Sequence, residues 1–190
     1  MKRWYLMRHG QTDYNRRRCF YGSYDVSINE QGQADAKQLH FLMQEHPVDV
    51  IYTSSLKRTK ETARLAFPER KVQLIADFDE RGFGQWEGLT ADEIEAAFPE
   101  VWQAWLEAPF EVTPPEAEVF ADFQTRVWTA TDRLLDSTDE SIALVSHLGV
   151  LRLIYQHLVD GEAVFWNIDV PQGRVLLLEE QDQTWKATLL

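Results

Sequence analysis

Three short clusters carry residues able to grip and attack an anion: Arg8-His9-Gly10, Ser54-Ser55-Leu56-Lys57-Arg58 and Ser146-His147-Leu148-Gly149. Guanidinium forks bind phosphate oxygens bidentately, and the N–H groups at a helix N-terminus favour the same charge. An imidazole that is neutral near pH 7 can act as nucleophile or carry a proton. Each cluster alone is weak evidence, because an Arg-His-Gly tripeptide often arises by chance and a histidine after a strand is commonly a hydrogen-bonded core residue. Their positions carry more weight, since each follows a stretch that reads as a β-strand. Ligands of open α/β sheets gather outside the carboxyl ends of the strands, so two arginines and two histidines should meet on one rim.

The elements that must position them follow from the hydrophobic pattern. Trp4–Met7 is a continuous apolar run ending at a turn, as expected of a buried strand. Asn29 is placed to cap a helix running to about Glu45, with Ala36, Leu39, His40 and Met43 on its apolar face and Pro47 ending it. Val48, Val50 and Tyr52 alternate as in a strand, and Ser54-Ser55 are expected to cap a second helix closing near Phe67-Pro68. Val72–Ile75 and Ser141–Val145 read as two further strands, the latter running through Ser146-His147 into a helix that reaches about Leu158. Arg174–Leu178 and Trp185–Leu189 suggest a hairpin at one edge.

This order predicts a three-layer α/β/α sandwich with a mostly parallel sheet, forming one domain over 1–190. A helical insert is expected at about 90–138, over the carboxyl ends of the strands. In it Phe98, Val101, Trp102, Trp105 and Leu106 keep a helical period, as do Phe120, Phe123, Val127, Ala130 and Leu134.

The chain has 190 residues and a formal net charge of −12. The first eighteen residues hold six basic groups against Asp13 alone, which leaves 13 basic and 30 acidic groups elsewhere. A local positive field on a negative body suits a small anionic ligand, and so acidic a chain makes nucleic acid an unsuitable partner. Cys19 is the only cysteine and has no internal disulfide partner. With neither a leader-like segment nor an apolar run long enough to span a membrane, the sequence reads as a soluble cytoplasmic domain. Nothing in it specifies an oligomeric state.

Four blocks in order resemble the histidine phosphatase (phosphoglycerate mutase-like) superfamily: Leu6-Met7-Arg8-His9-Gly10-Gln11-Thr12, Ser54 to Ala63, Asp79 to Gly88, and Val145 to Val150. The resemblance implies a metal-independent phosphomonoester hydrolase in which His9 becomes transiently phosphorylated. Arg8, Arg58 and His147 would hold the phosphoryl oxygens with Asn15 assisting, and Glu80 would protonate the leaving group. Asp77, Asp79 and Glu87 are neighbouring carboxylates that could be confused with it. Phosphoryl transfer needs positioning and positive charge above all, and two guanidiniums supply that charge without a metal or other cofactor.

Phe20 to Asp25 and Pro114 to Phe123 are similar to the α-ribazole phosphatase branch, which implies Tyr21 and Gly22 at the substrate and α-ribazole 5'-phosphate or a related small ester as substrate. Glu116-Ala117-Glu118 and Leu148 depart from that branch beside the expected pocket, and Glu116 could repel an anionic substrate. Alternatives are a broad sugar or nucleotide phosphatase, a phosphoglycerate mutase, and a non-catalytic phospholigand-binding module. A metal site built on His9 and His147 lacks a third ligand at characteristic spacing and would face two cations.

Overall fold

The computed structural model describes residues 2–190. Six strands form one sheet: β1 (Arg3–Arg8), β2 (Val50–Thr53), β3 (Val72–Leu74), β4 (Ser141–Ser146), β5 (Val175–Gln181) and β6 (Thr184–Leu189). Among the described residues seven α-helices accompany them: α1 (Asp13–Arg17), α2 (Glu30–Met43), α3 (Lys57–Ala66), α4 (Ala91–Ala97), α5 (Pro99–Glu107), α6 (Phe120–Leu135) and α7 (Leu148–Leu158). The strand order is β3-β2-β4-β1-β5-β6. The four strands from β3 to β1 pair in parallel, and β5 and β6 add an antiparallel hairpin beside β1. This is the expected α/β/α fold.

The apolar runs are continuous because both faces of the sheet are covered. Trp4 and Leu6 of β1 face α6 and α7, joining Ile142, Leu144, Phe123, Val127, Leu151 and Ile154. Tyr5 and Met7 face the opposite way, toward Leu39 and Met43 of α2 and Ala63 and Ala66 of α3. The same alternation sends Tyr52 to the first face and Ile51 to the second, both buried.

Asn29 caps α2 as expected, its side chain accepting from the Gly32 N–H at 3.0 Å. The expected cap of α3 is different. Leu56 holds the N-cap position with no side-chain cap bond. Ser54 sits two residues earlier, where its hydroxyl accepts from the Leu56 N–H at 3.2 Å, and Ser55 turns to Asp79.

The insert also divides. Its first helical period, Phe98 to Leu106, forms α5 with Phe98 as N-cap, and a separate helix α4, not foreseen in the period, precedes it. Their Ile94, Trp102 and Trp105 build a separate cluster around Trp86. The helix α6 instead belongs to a layer of the sandwich, so only the first part of the insert stands apart from the sheet.

Candidate active site

Register brings the two histidines together. Arg8 pairs with Ser146 at the ends of neighbouring strands β1 and β4, and the His9 N–H donates to the Ser146 carbonyl at 2.9 Å. His9 and His147 therefore leave the sheet side by side, with ring centroids 5.3 Å apart. The next parallel strand, β2, is followed by Ser54 and, in the first turn of α3, by Arg58. Gly10 allows the tight exit from β1: a Cβ there would lie 2.3 Å from the Gly32 carbonyl oxygen of α2.

His9 is buried, and its Nδ1 lies 2.8 Å from the Gly10 carbonyl. A carbonyl can only accept, so Nδ1 carries the proton and the Nε2 lone pair is left open. Burial first, then the Arg58 and Arg8 charges, hold the His9 pKa well below 6.5 and keep the ring neutral. The same burial and the charge of Arg58 act on His147. His147 Nε2 meets the Ser54 hydroxyl at 2.8 Å, while its buried Nδ1 has no partner among the described residues.

Arg58 is fully buried at the start of α3 and is held from three sides. Nη1 donates to the Tyr24 carbonyl at 2.8 Å, Nη2 donates to the Gly22 carbonyl at 2.7 Å, and the guanidinium lies 4.8 Å from the Tyr21 ring centre. Its Nε, like that of Arg8, is buried without a partner among the described residues. The loop holding Arg58 is itself pinned by a buried carboxylate, Glu87, which accepts from the backbone N–H groups of Gly22, Ser23, Tyr24 and Phe83. Orphaned donors that collect in one polar place mark a site for an anion.

Glu80 stands opposite. Oε1 accepts from the Arg81 N–H at 3.0 Å and Oε2 from the Gly149 N–H at 3.1 Å, at the N-terminus of α7. Its neighbours have other occupations: Asp79 accepts from Ser55, Asp77 pairs with Arg133, and Glu87 holds the 22–24 loop. Of these four carboxylates only Glu80 lines the cavity.

That cavity measures about 520 Å³, within the usual range of small-molecule sites. Arg8, His9, Asn15, Tyr21, Arg58 and Glu80 line it; His147 lies buried directly behind. The Asn15 carbonyl accepts from the Thr12 N–H and from Gln172, so the amide NH₂ is what it can offer a ligand. Gly22 does not line the cavity: its N–H is taken by Glu87 and its carbonyl by Arg58, so it acts on the site through that arginine. Leu148 reaches the cavity, but Glu116 turns to Gln85 and Glu118 pairs with Arg126, so neither carboxylate lies in the lining.

Sequence reasoning missed the role of Glu87, the Ser54 contact with His147, and the outer wall. Phe110, Phe165 and Trp166 come from the insert and from the segment after α7, where no motif signalled a site, and Phe120 falls within the 114–123 stretch without having been read as part of a wall. Arg81 and Arg152 add two cations to that wall. Among the described residues no three His, Cys, Asp or Glu side chains cluster as a metal site, and no helix is long and apolar enough to cross a membrane.

Chemically, an imidazole with an open lone pair between two guanidiniums can attack a phosphoryl group, with a carboxyl across the cavity to exchange a proton. The sequence matches the family model of the histidine phosphatase superfamily (branch 1) over residues 4–190. The chain belongs to the histidine phosphatase superfamily. It is a phosphatase, and its family implies a small phosphate ester as substrate.

This histidine phosphatase is 32% identical over 177 residues to an adenosylcobalamin/alpha-ribazole phosphatase of Salmonella typhimurium, covering 91% of this chain and 87% of that protein. It is 32% identical over 157 residues to phosphoglycerate mutase-like protein 4 of Arabidopsis thaliana, covering 80% of this chain and 68% of the other. The crystal structure of the alpha-ribazole phosphatase from Shigella flexneri superposes with a TM-score of 0.91 at 28% identity, covering 99% of this chain and 95% of that one.

Proposed function

We propose that the protein hydrolyses phosphomonoesters through a phosphohistidine at His9, with α-ribazole 5'-phosphate as the favoured substrate. The observation that carries the mechanism is the Nδ1–H···O=C bond from His9 to Gly10, which leaves Nε2 open beside Arg8 and Arg58. In the first step Nε2 attacks phosphorus, the ester P–O bond breaks, and protonated Glu80 gives its proton to the departing alcohol oxygen. In the second, water attacks phosphorus, the Glu80 carboxylate takes its proton, and the P–N bond breaks to release phosphate and neutral His9.

The guanidiniums hold equatorial oxygens through both steps and stabilise the charge that gathers there. His147 Nδ1 donates to the same group when the Ser54 hydroxyl donates to Nε2. Asn15 adds its amide NH₂.

The substrate assignment rests on the relatives' names and on the aromatic wall. Phe110 and Trp166 stack with centroids 5.6 Å apart and planes 12° apart, and Phe120 and Phe165 continue that surface. Such a wall fits an aromatic heterocycle on the leaving group better than a small charged acid.

The test is kcat/KM over a panel holding α-ribazole 5'-phosphate, nucleoside 5'-monophosphates and 3-phosphoglycerate, in excess chelator. The aromatic ribosyl ester is expected to lead, and a lead by 3-phosphoglycerate would reject the substrate. Trapping from labelled substrate should give an acid-labile, alkali-stable phosphoenzyme that His9→Ala lacks; a label that survives in that variant would reject the nucleophile.

A further inference from the structure

Two buried donors on the outer wall are left unused by the phosphoryl chemistry. Arg81 is 5% exposed and lines the cavity, wedged 5.6 Å from the Phe83 ring centre and 5.5 Å from that of Phe120. Its Nε donates to the Glu118 carbonyl at 3.0 Å, whereas Nη2 is buried with no partner among the described residues. Trp105, 8% exposed, lines the same cavity, and its indole Nε1–H is likewise buried and unpartnered. One ring links the two places: Phe20 lies 5.5 Å from Phe83 and 5.7 Å from Trp105. Trp86 provides a contrast. Its Nε1 is also unpartnered, but it is sealed in the core and does not reach the cavity.

We infer that Arg81 and Trp105 form a leaving-group subsite that selects esters of polyhydroxylated, sugar-type alcohols by donating to their neutral oxygens. The inference rests on the phosphatase reading of the inner site and specifies what lies beyond the ester bond. A neutral acceptor fits better than a second anion because the charges of Glu118 and Glu80 already act on the guanidinium. An indole N–H is itself an uncharged donor, suited to a hydroxyl or ring oxygen. The surrounding phenyl rings exclude water, and a site built to bond a substrate hydroxyl discriminates strongly against an analogue without one.

The experiment compares adenosine 5'-monophosphate with its 2'-deoxy and 2',3'-dideoxy analogues, which share base and phosphate and differ only in hydroxyls. For wild type, kcat/KM should fall at least about tenfold across the series. In Trp105→Phe, which keeps the ring and loses the N–H, and in Arg81→Met, which keeps bulk between the two phenyls, that ratio should shrink to within about threefold of unity in at least one variant. A flat series in wild type overturns the subsite even if neither variant folds. An undiminished ratio in two folded variants overturns the assignment to these residues. Absence of turnover on every ester, including p-nitrophenyl phosphate, would reject the phosphatase reading itself, a different failure from a flat series.

Discussion

Gly149→Ala should separate catalysis from stability. A Cβ at this position would stand 2.4 Å from Glu80 Oε1, 3.1 Å from its Cδ and 3.2 Å from Oε2, where ordinary contact begins at 3.4 Å. Only the end of a flexible side chain is in the way, so the carboxyl gives and the helix does not. Glu80 must withdraw by about 1 Å from the position fixed by the Gly149 N–H. Misplacing a reacting group by about 1 Å can cost about 10²-fold, inside the 10²–10⁴-fold that general acid catalysis contributes.

Proton donation matters most when the leaving alcohol is poor. Therefore kcat/KM, which covers the steps through departure of the alcohol, should fall about 10²-fold for an alkyl phosphate and less than about tenfold for p-nitrophenyl phosphate. Alanine is the better helix former by about 0.5–1 kcal/mol, so Tm should hold or rise slightly. Equal losses on both esters, or full activity on the alkyl ester, would refute the role given to Glu80.

Other perturbations test the remaining parts of the site. His9→Ala should lower kcat/KM at least about a hundredfold while the fold persists, checked by steady-state rates and circular dichroism. Because His9 and His147 have pKa values held below 6.5 in the fold, the unfolded chain binds more protons as pH falls through that value. Stability should therefore be complete above about pH 6.5 and decline below it, and His147→Gln should flatten that decline in urea titrations. Glu87→Ala orphans the N–H groups that pin the 22–24 loop; a cost of about 3 kcal/mol, or roughly 6–12 °C in Tm, is expected together with a raised KM as Arg58 loses its anchors.

The parts of this molecule legible in its sequence are those governed by local pattern. The run Trp4–Met7, the Asn29 cap and the helical period from Phe120 to Leu134 all appear where the residues place them. The strand-end rule then suffices to collect Arg8, His9, Arg58 and His147, because it needs only the ends of the strands and not the details between them. What stays hidden is how a polar side chain is used once distant segments meet. Ser54 looks like a helix cap until His147 arrives from β4 to share its hydroxyl. Gly22 looks like a substrate contact until Glu87, far along the chain, takes its N–H. Glu116 looks like a pocket acid, but Gln85 draws it away. The aromatic wall is invisible for the same reason: Phe110 and Trp166 become neighbours only after the insert and the segment following α7 have packed.

The pairing of Arg8 with Ser146 has a consequence for how the enzyme comes to life. The first cluster leaves the ribosome early, yet its imidazole gains its companion only when β4, synthesised much later, docks alongside β1. Closing so long a loop is entropically slow, which makes catalysis a late and all-or-none arrival during maturation. Turnover can therefore serve as a clock for completion of the central sheet, and two fragments divided in the exposed turn before β4 should be silent apart and regain activity only on reassociation.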